Sequence, residues 1–289
     1  MSKDLFVKYI TSEKRFSKHT IIAYNNDLEQ FIKYIDSCFK IKCNFTEINF
    51  QIIRSWIASL LEDGVTSRTV NRKISVLKSF FKFLLREGTI DSNPMLRIIN
   101  PKSSKKLPVF IEKHEIEFLL DKIEFDDSFV GDRDKLIIEL FYVTGIRLSE
   151  LININVGDID YNMSTIKVLG KRNKERIIPL SPSIIIQLQD FINKYSISHF
   201  LFTNNEGNKV YRKLVYRVVK KYLSKISNVD KKGPHILRHT FATHMLNNGA
   251  DINAIKELLG HANLSATQIY THNTIDKLKT VYKQAHPRG

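Results

Sequence analysis

No helix can run unbroken through residues 89–108. Asn93-Pro94, Pro101, the basic run Lys102-Ser103-Ser104-Lys105-Lys106 and Pro108 all fall in this stretch. Each proline fixes φ and removes a backbone donor. The sequence on both sides has helical periodicity, so the break predicts two domains: residues 1–100, a linker over 101–106, and residues 107–289. A chain of 289 residues is long enough for two. Its 43% apolar content suits ordinary packed cores rather than a disordered chain.

The first part is expected to be all helical. Ser17 is a candidate N-cap, followed by Ile21, Tyr24, Leu28, Phe31, Ile32 and Ile35 at three- and four-residue spacing. A second helix is predicted from Phe50 to Leu61, ending before Gly64. A third begins at Thr66 or Ser67, carries the stripe Val70, Ile74, Leu77, Phe81, Leu84 and Leu85, and stops at Gly88. Arg68, Arg72, Lys73, Lys78, Lys82 and Arg86 lie on that third helix, with Glu87 the one acid nearby. A charged stripe usually just solvates an amphipathic helix. An unbalanced cationic face repels itself unless an anion docks there, so Arg68, Arg72, Lys73, Lys78 and Lys82 are read as DNA-contacting.

The second part is expected to be mostly helical with a small antiparallel sheet. Helices are predicted near Glu112–Ile123, Arg133–Thr144, Ser181–Lys194, Lys209–Ser227, His235–Asn247, Ile252–Leu259 and Thr274–Ala285. Thr165–Leu169 and Glu175–Leu180 alternate as strands around Gly170-Lys171-Arg172-Asn173-Lys174, a β-hairpin with a cationic tip.

The net charge is +15, and both parts contribute. Residues 1–106 hold 19 Lys and Arg against 10 Asp and Glu; residues 107–289 hold 26 against 20. A polyanion is the simplest partner for a body that is basic throughout. A lipid-seeking amphipathic face and a long apolar span are both lacking, so no membrane partner is expected. The apolar core of a signal peptide is also lacking, so a cytoplasmic location is expected. Cys38 and Cys43 are too few and too close for a disulfide framework and read as free thiols.

Three segments concentrate unusual polar residues: Thr144-Gly145-Ile146-Arg147-Leu148-Ser149-Glu150-Leu151, the hairpin tip with Lys171, and the stretch from His235 to Tyr270. The last contains His235-Ile236-Leu237-Arg238-His239, Leu258-Leu259-Gly260-His261 and Gln268-Ile269-Tyr270-Thr271-His272. Singly each is bland. A hairpin lysine is usually solvated, a lone histidine on an apolar helix is usually structural, and Tyr270 alone reads as core.

In this order and spacing they resemble the tyrosine recombinases of the phage integrase family, most closely the Xer chromosome-resolution recombinases. Twenty-four residues separate Arg147 from Lys171, twenty-six separate His235 from His261, and nine more lead to Tyr270. The resemblance extends back to Ser17-x-x-Thr20-x-x-x-Tyr24-x-x-Asp27-Leu28 and Arg72-Lys73-Ile74-Ser75, and forward to His286-Pro287-Arg288. It implies a helical core-binding (SAM-like) domain and a catalytic domain closing as a clamp on double-stranded DNA. Arg147 and Arg238 match the arginines that hold the scissile phosphate, Lys171 the hairpin lysine, His235 and His261 the two histidines, Tyr270 the nucleophile, and Glu150 the supporting acid. It further implies four subunits on two short, near-palindromic sites, alone or with a second Xer recombinase, exchanging strands through a Holliday junction. A dif-like site, chromosome-dimer resolution at cell division, and a DNA translocase partner belong to the same expectation. The final helix, with Ile275, Leu278, Val281, Tyr282 and Ala285, is expected to dock on a neighbouring subunit, with docking on its own domain the alternative.

The chemistry suits these residue types. A phosphodiester repels nucleophiles, and attack builds charge on its equatorial oxygens. Arginine is always cationic, and its planar fork grips two oxygens. Tyrosine is a poor nucleophile at neutral pH and needs a base or a cationic pocket. His235 can serve as that base, His261 can hydrogen-bond a phosphate oxygen, and Lys171 can protonate the leaving 5′-hydroxyl. The bond energy is kept in a 3′-phosphotyrosine, so no nucleotide or metal cofactor is expected, and no phosphate-loop motif is present. The hairpin reads Gly170-Lys171-Arg172 where the family usually has Gly-Lys-Gly; Arg172 adds a second cation there and is counted with the DNA contacts.

Four rivals use the same residues. A mobile-element integrase would share the chemistry. A sequence-specific DNA-binding protein would bind without cutting, but would have no use for Tyr270 with both arginines. A topoisomerase relative would nick and reseal only, and would not need the Ser17–Arg86 resemblance. His235, His239, His244 and His261 could ligate a metal, but the usual His-Glu-x-x-His signature is missing.

Overall fold

The computed structural model describes residues 2–42, 44–102, 109–170, 175–227, 229, 232–260 and 272–289, the side chains of 272–277 excepted. The chain divides into two compact units, Met1–Lys106 and Leu107–Gly289.

In the first unit, local capping sets where most of the helices begin. Ser17 accepts from the Thr20 backbone N–H and opens α2 (Lys18–Phe39). Asn49 caps α3 (Phe50–Glu62), and Thr66 caps α4 (Ser67–Arg86). Such caps satisfy donors that a helix N-terminus leaves unpaired. A preceding helix, α1 (Ser2–Ser12), buries only Phe6 and Ile10, too sparse a pattern for periodicity to reveal. Phe6 enters a core rich in aromatic pairs. Phe6 meets Phe80 edge-on with ring centroids 5.2 Å apart, Phe45 meets Phe80 at 5.0 Å, and Phe31 meets Trp56 at 5.0 Å. On α4 the buried face includes Phe80 and Phe83, whereas Leu85 is exposed.

The second unit is organised around α6 (Phe129–Thr144), which is buried on nearly every side, as expected for a helix enclosed by others. It begins one turn earlier than its apolar pattern suggests, because Ser128 caps it. Against it pack α8 (Pro182–Lys194), α9 (Arg212–Ile226) and α10 (Pro234–Asn247), and the unit also contains α5 (Lys113–Asp121), α7 (Leu148–Leu151) and α11 (Ile252–Leu259). The sheet is antiparallel, ordered β1 (Ile159–Asp160), β2 (Thr165–Leu169), β3 (Glu175–Pro179). Leu169 pairs with Glu175, the pair nearest the turn between the two strands.

The last helix, α12 (His272–Ala285), is seated on its own domain, the alternative to docking on a neighbouring subunit. Leu278, Tyr282 and Ala285 are buried with Phe241, Met245, Leu258 and Leu259. His286 locks the end. Its ring stacks on Tyr282 and Phe241, its Nε2–H donates to the Tyr142 carbonyl (3.3 Å), and its Nδ1 accepts from the Arg288 N–H (3.0 Å). Arg288 pairs with Asp121 and with buried Glu139. Cys38 is an exposed free thiol, and Cys43 lies outside the described residues. Among the described residues no helix is long and apolar enough to cross a membrane.

Candidate active site

Gly145 makes the first turn of the site. It ends α6 at φ +57°, and a Cβ there would sit 2.6 Å from the Phe241 ring and 2.7 Å from Leu259. Only glycine meets both demands. The turn brings Arg147 to the N-cap of α7 in extended backbone, with Glu150 three residues on. The Glu150 carboxylate takes four hydrogen bonds. Its Oε2 accepts from the Arg147 backbone N–H and its Oε1 from Arg147 Nη1, both at 2.8 Å. Arg176 of β3 spans both oxygens, at 2.6 and 2.8 Å.

The C-terminal end of α11 gathers the arginines. Leu258 O accepts from Arg176 Nε at 3.0 Å, Leu259 O from Arg238 Nη2 at 2.7 Å, and Gly260 O from Arg147 Nη2 at 2.8 Å. Arg238 also donates to Gly145 O at 2.6 Å. Terminal helix carbonyls lack intrahelical partners and carry partial negative charge, so cations are held well there. His235 is exposed on the first turn of α10, where Pro234 occupies the opening position. Three residues apart, His235 and Arg238 share one helix face.

Three guanidinium groups thus surround one carboxylate, leaving a surplus of positive charge. Burial, then the charges of Arg147 and Arg176, push Arg238 down to about 9, with Glu150 opposing them. Burial works to raise Glu150, but its hydrogen bonds and charge contacts with Arg176 and Arg147 hold it below the ordinary carboxylate value. Such a cluster is electrostatically incomplete until an anion arrives.

The structure therefore brings Arg147, Glu150 and Arg238 together, with His235 a turn away. Lys171, Arg172, His261 and Tyr270 lie outside the described residues. His244 is buried against Tyr142, with Nδ1 3.1 Å from its hydroxyl, while His239 is exposed. Among the described residues no three His, Cys, Asp or Glu side chains are grouped to hold a metal.

On α4, Arg68, Arg72, Lys78 and Lys82 are exposed. Lys73 corrects the sequence reading: it is buried, and its Nζ is bonded to Asp27 Oδ1 at 2.8 Å and to Gln30. It points into the helical core and offers nothing to a phosphate. Arg72 joins the same Asp27 but stays half in solvent.

Two features went unassigned in the sequence. Arg176 is one; its signal is parity, because it faces inward on β3 with Ile178, and an inward charge requires a buried partner. The other is α9, with Arg212, Lys213, Arg217, Lys220, Lys221 and Lys225 all exposed and no acid. Exposed Tyr211 and Tyr216 interleave them. A Cβ on Gly233 would lie 2.6 Å from the Tyr216 ring, so this basic face borders the start of α10, beside His235.

Comparison with known proteins agrees across the chain. Residues 109–277 match the phage integrase family, and residues 4–88 match the phage integrase N-terminal SAM-like domain. The chain is 38% identical over 295 residues to tyrosine recombinase XerC of Oceanobacillus iheyensis, covering 99% of this chain and 96% of that one. It is 38% identical over 292 residues to tyrosine recombinase XerD of Staphylococcus haemolyticus, covering 98% of each. Among solved structures, XerH recombinase bound to its difH substrate in a pre-cleavage complex matches with TM-score 0.70 and 25% identity, over 94% of this chain and 81% of that one. The Tn1549 transposon integrase in complex with circular-intermediate DNA matches with TM-score 0.73 and 20% identity, over 96% and 98%.

Proposed function

Since the chain belongs to the phage integrase family of tyrosine recombinases, we propose that it exchanges DNA strands at a specific site through a covalent tyrosyl intermediate, with Tyr270 as nucleophile. The observation that carries the site assignment is the surplus of positive charge around Glu150. Arg147 and Arg238 are already oriented by backbone carbonyls, so a phosphodiester entering between them meets fixed charge instead of recruiting it. Charge preorganised where the transition state develops it is usually the largest catalytic contribution.

In this reaction Arg147 and Arg238 hold the two non-bridging oxygens. The Tyr270 hydroxyl attacks phosphorus as His235 takes up its proton. The bond to the 5′-oxygen breaks, and Lys171 supplies the proton that oxygen needs. His261 hydrogen-bonds a phosphate oxygen. The 3′-phosphotyrosine has the same number of phosphoester bonds as the DNA it replaced, so a 5′-hydroxyl from a partner strand can reverse the step without a nucleotide.

Double-stranded DNA is the substrate. The exposed cations of α4, Arg68, Arg72, Lys78 and Lys82, are proposed to contact its backbone in the first unit. Arg172 and the α9 face are proposed to do so in the second. The likeness to XerC and XerD supports proposing further that four subunits act on two near-palindromic sites, alone or with a second recombinase and a DNA translocase, to resolve chromosome dimers at a dif-like site in the cytoplasm.

Covalent trapping tests the reading. The protein is mixed with nicked duplexes carrying near-palindromic chromosomal sites and run on a denaturing gel beside Tyr270→Phe. The expected result is a protein–DNA band in the wild type that vanishes in the variant. Tight binding with no covalent band would leave a DNA-binding protein that does not cut.

A further inference from the structure

We propose that Arg176 is a positioning residue for DNA cleavage, acting on the scissile phosphate through Glu150 and Arg147. The proposal rests on the reading of Arg147 as a phosphate-binding arginine.

Arg176 is buried, only 4% exposed, so it is no candidate to touch DNA itself. All of its assigned bonds are internal. Its two Nη groups take both Glu150 oxygens, and its Nε takes Leu258 O. Planar two-point contact fixes the carboxylate's rotation as well as its position, which a lysine ammonium cannot do. With both oxygens spanned, Glu150 has one orientation in which to receive Arg147, and Arg147 has one in which Nη2 reaches Gly260 O.

Arg176 also supports the turn that leaves α11. Gly260 has φ +64°, and a Cβ there would meet Arg176 Cδ at 2.9 Å and Nη1 at 3.2 Å. The backbone therefore lies directly on the Arg176 side chain just before His261. One residue joins the hairpin strand, the supporting acid and the turn whose Gly260 carbonyl receives Arg147. A group whose loss misplaces a reacting partner by an ångström can cost as much as a direct contact.

The test is a double-mutant cycle on single-turnover cleavage of the nicked duplex, with duplex affinity and thermal melting measured in parallel. Arg176→Met and Arg176→Lys are made in the wild-type and Arg147→Ala backgrounds. In the wild-type background Arg176→Met is expected to slow cleavage by about 30-fold or more, approaching the effect of losing a direct donor. Arg176→Lys should fall between the two, and duplex affinity should change by less than about threefold, since Arg176 touches no DNA. In the Arg147→Ala background, removing Arg176 should cost less than about threefold further, because residues that act through one another are not additive. A folded Arg176→Met that cleaves at the wild-type rate overturns the proposal. So does an equal loss in both backgrounds, which would make Arg176 a general scaffold residue. If Arg176→Met shows no melting transition, the Arg176→Lys pair carries the cycle with the same criteria. Absence of a Tyr270-dependent band in the wild-type control would instead overturn the underlying site assignment.

Discussion

Asp27 in the first unit and Glu150 in the second are both buried carboxylates that accept from two basic side chains. Around Asp27, Lys73 is buried with it while Arg72 reaches water, which screens the extra charge. Around Glu150, Arg176 is buried and Arg147 partly so, and a third arginine, Arg238, is held by carbonyls alone. Burial and neighbouring charge push that arginine down to about 9. One motif thus serves two ends. Where solvent absorbs the surplus charge, the cluster ties helices α2 and α4 together. Where solvent is kept out, the surplus remains available to an anion.

Removing each carboxylate should produce the largest effects. Asp27→Asn and Glu150→Gln each strip the partner from a buried cation, which typically costs about 3–5 kcal/mol. Urea unfolding followed by circular dichroism measures both. The comparison requires losses of similar size in stability but not in function: a folded Glu150→Gln should cleave poorly and a folded Asp27→Asn normally. Equal cleavage by the two would erase the distinction.

Next in size is the chemistry itself. Arg147→Ala and Arg238→Ala should each slow single-turnover cleavage by about 10²–10³. Substituting Arg72, the exposed arginine of the Asp27 cluster, should leave the rate at saturating DNA unchanged while weakening binding. A rate loss for Arg72→Ala comparable to that of Arg147→Ala would place the first unit in the chemistry.

The Asp27 cluster also shows where sequence patterns stop being informative. Helix periodicity and caps are local, so Ser17 and Thr66 mark their helices from the sequence, and the helix from Phe50 is found by periodicity without its cap Asn49. Lys73 looks like its neighbours Arg72 and Lys78 because nothing local shows it turning inward; its partner Asp27 is 46 residues away. Arg176 was hidden for the same reason, since Glu150 and Leu258 lie far from it in sequence. Arg147, Glu150 and Arg238 were legible because family motifs carry long-range information that periodicity does not. Capping chemistry explains α6 beginning at Phe129, which its apolar spacing does not show.

Salt dependence separates the two kinds of cation more finely. Neutralising one exposed cation proposed to contact phosphate, such as Lys82 or Lys213, should weaken binding uniformly across sequences and reduce the slope of log affinity against log salt by about 1. Lys73→Ala in folded protein should leave the slope unchanged, since Lys73 is already committed to Asp27 and Gln30. A lower slope for Lys73→Ala would return it to the DNA-contacting face.

The smallest effect concerns a buried group that has given up its charge. Burial, with His244 and Arg288 contributing, pushes His286 down to about 3, against the single favourable contact to Tyr142 O. In the unfolded chain a histidine titrates near 6.5, so between those values the unfolded state binds a proton the folded state does not. Stability therefore falls as pH drops below about 6.5, by roughly 0.7 kcal/mol between pH 7 and 6 and approaching 1.4 kcal/mol per unit below that. Glu139, raised by burial and facing Arg288 at the same helix end, acts in the opposite sense. The informative quantity is the difference between wild type and His286→Phe, which keeps the stacking on Tyr282 and Phe241 but cannot titrate. Urea unfolding at pH 5, 6 and 7 should show the wild type losing stability relative to this variant as the pH falls. Parallel curves would mean that His286 takes up its proton in place, and that this end of the fold tolerates buried positive charge as the Glu150 cluster does.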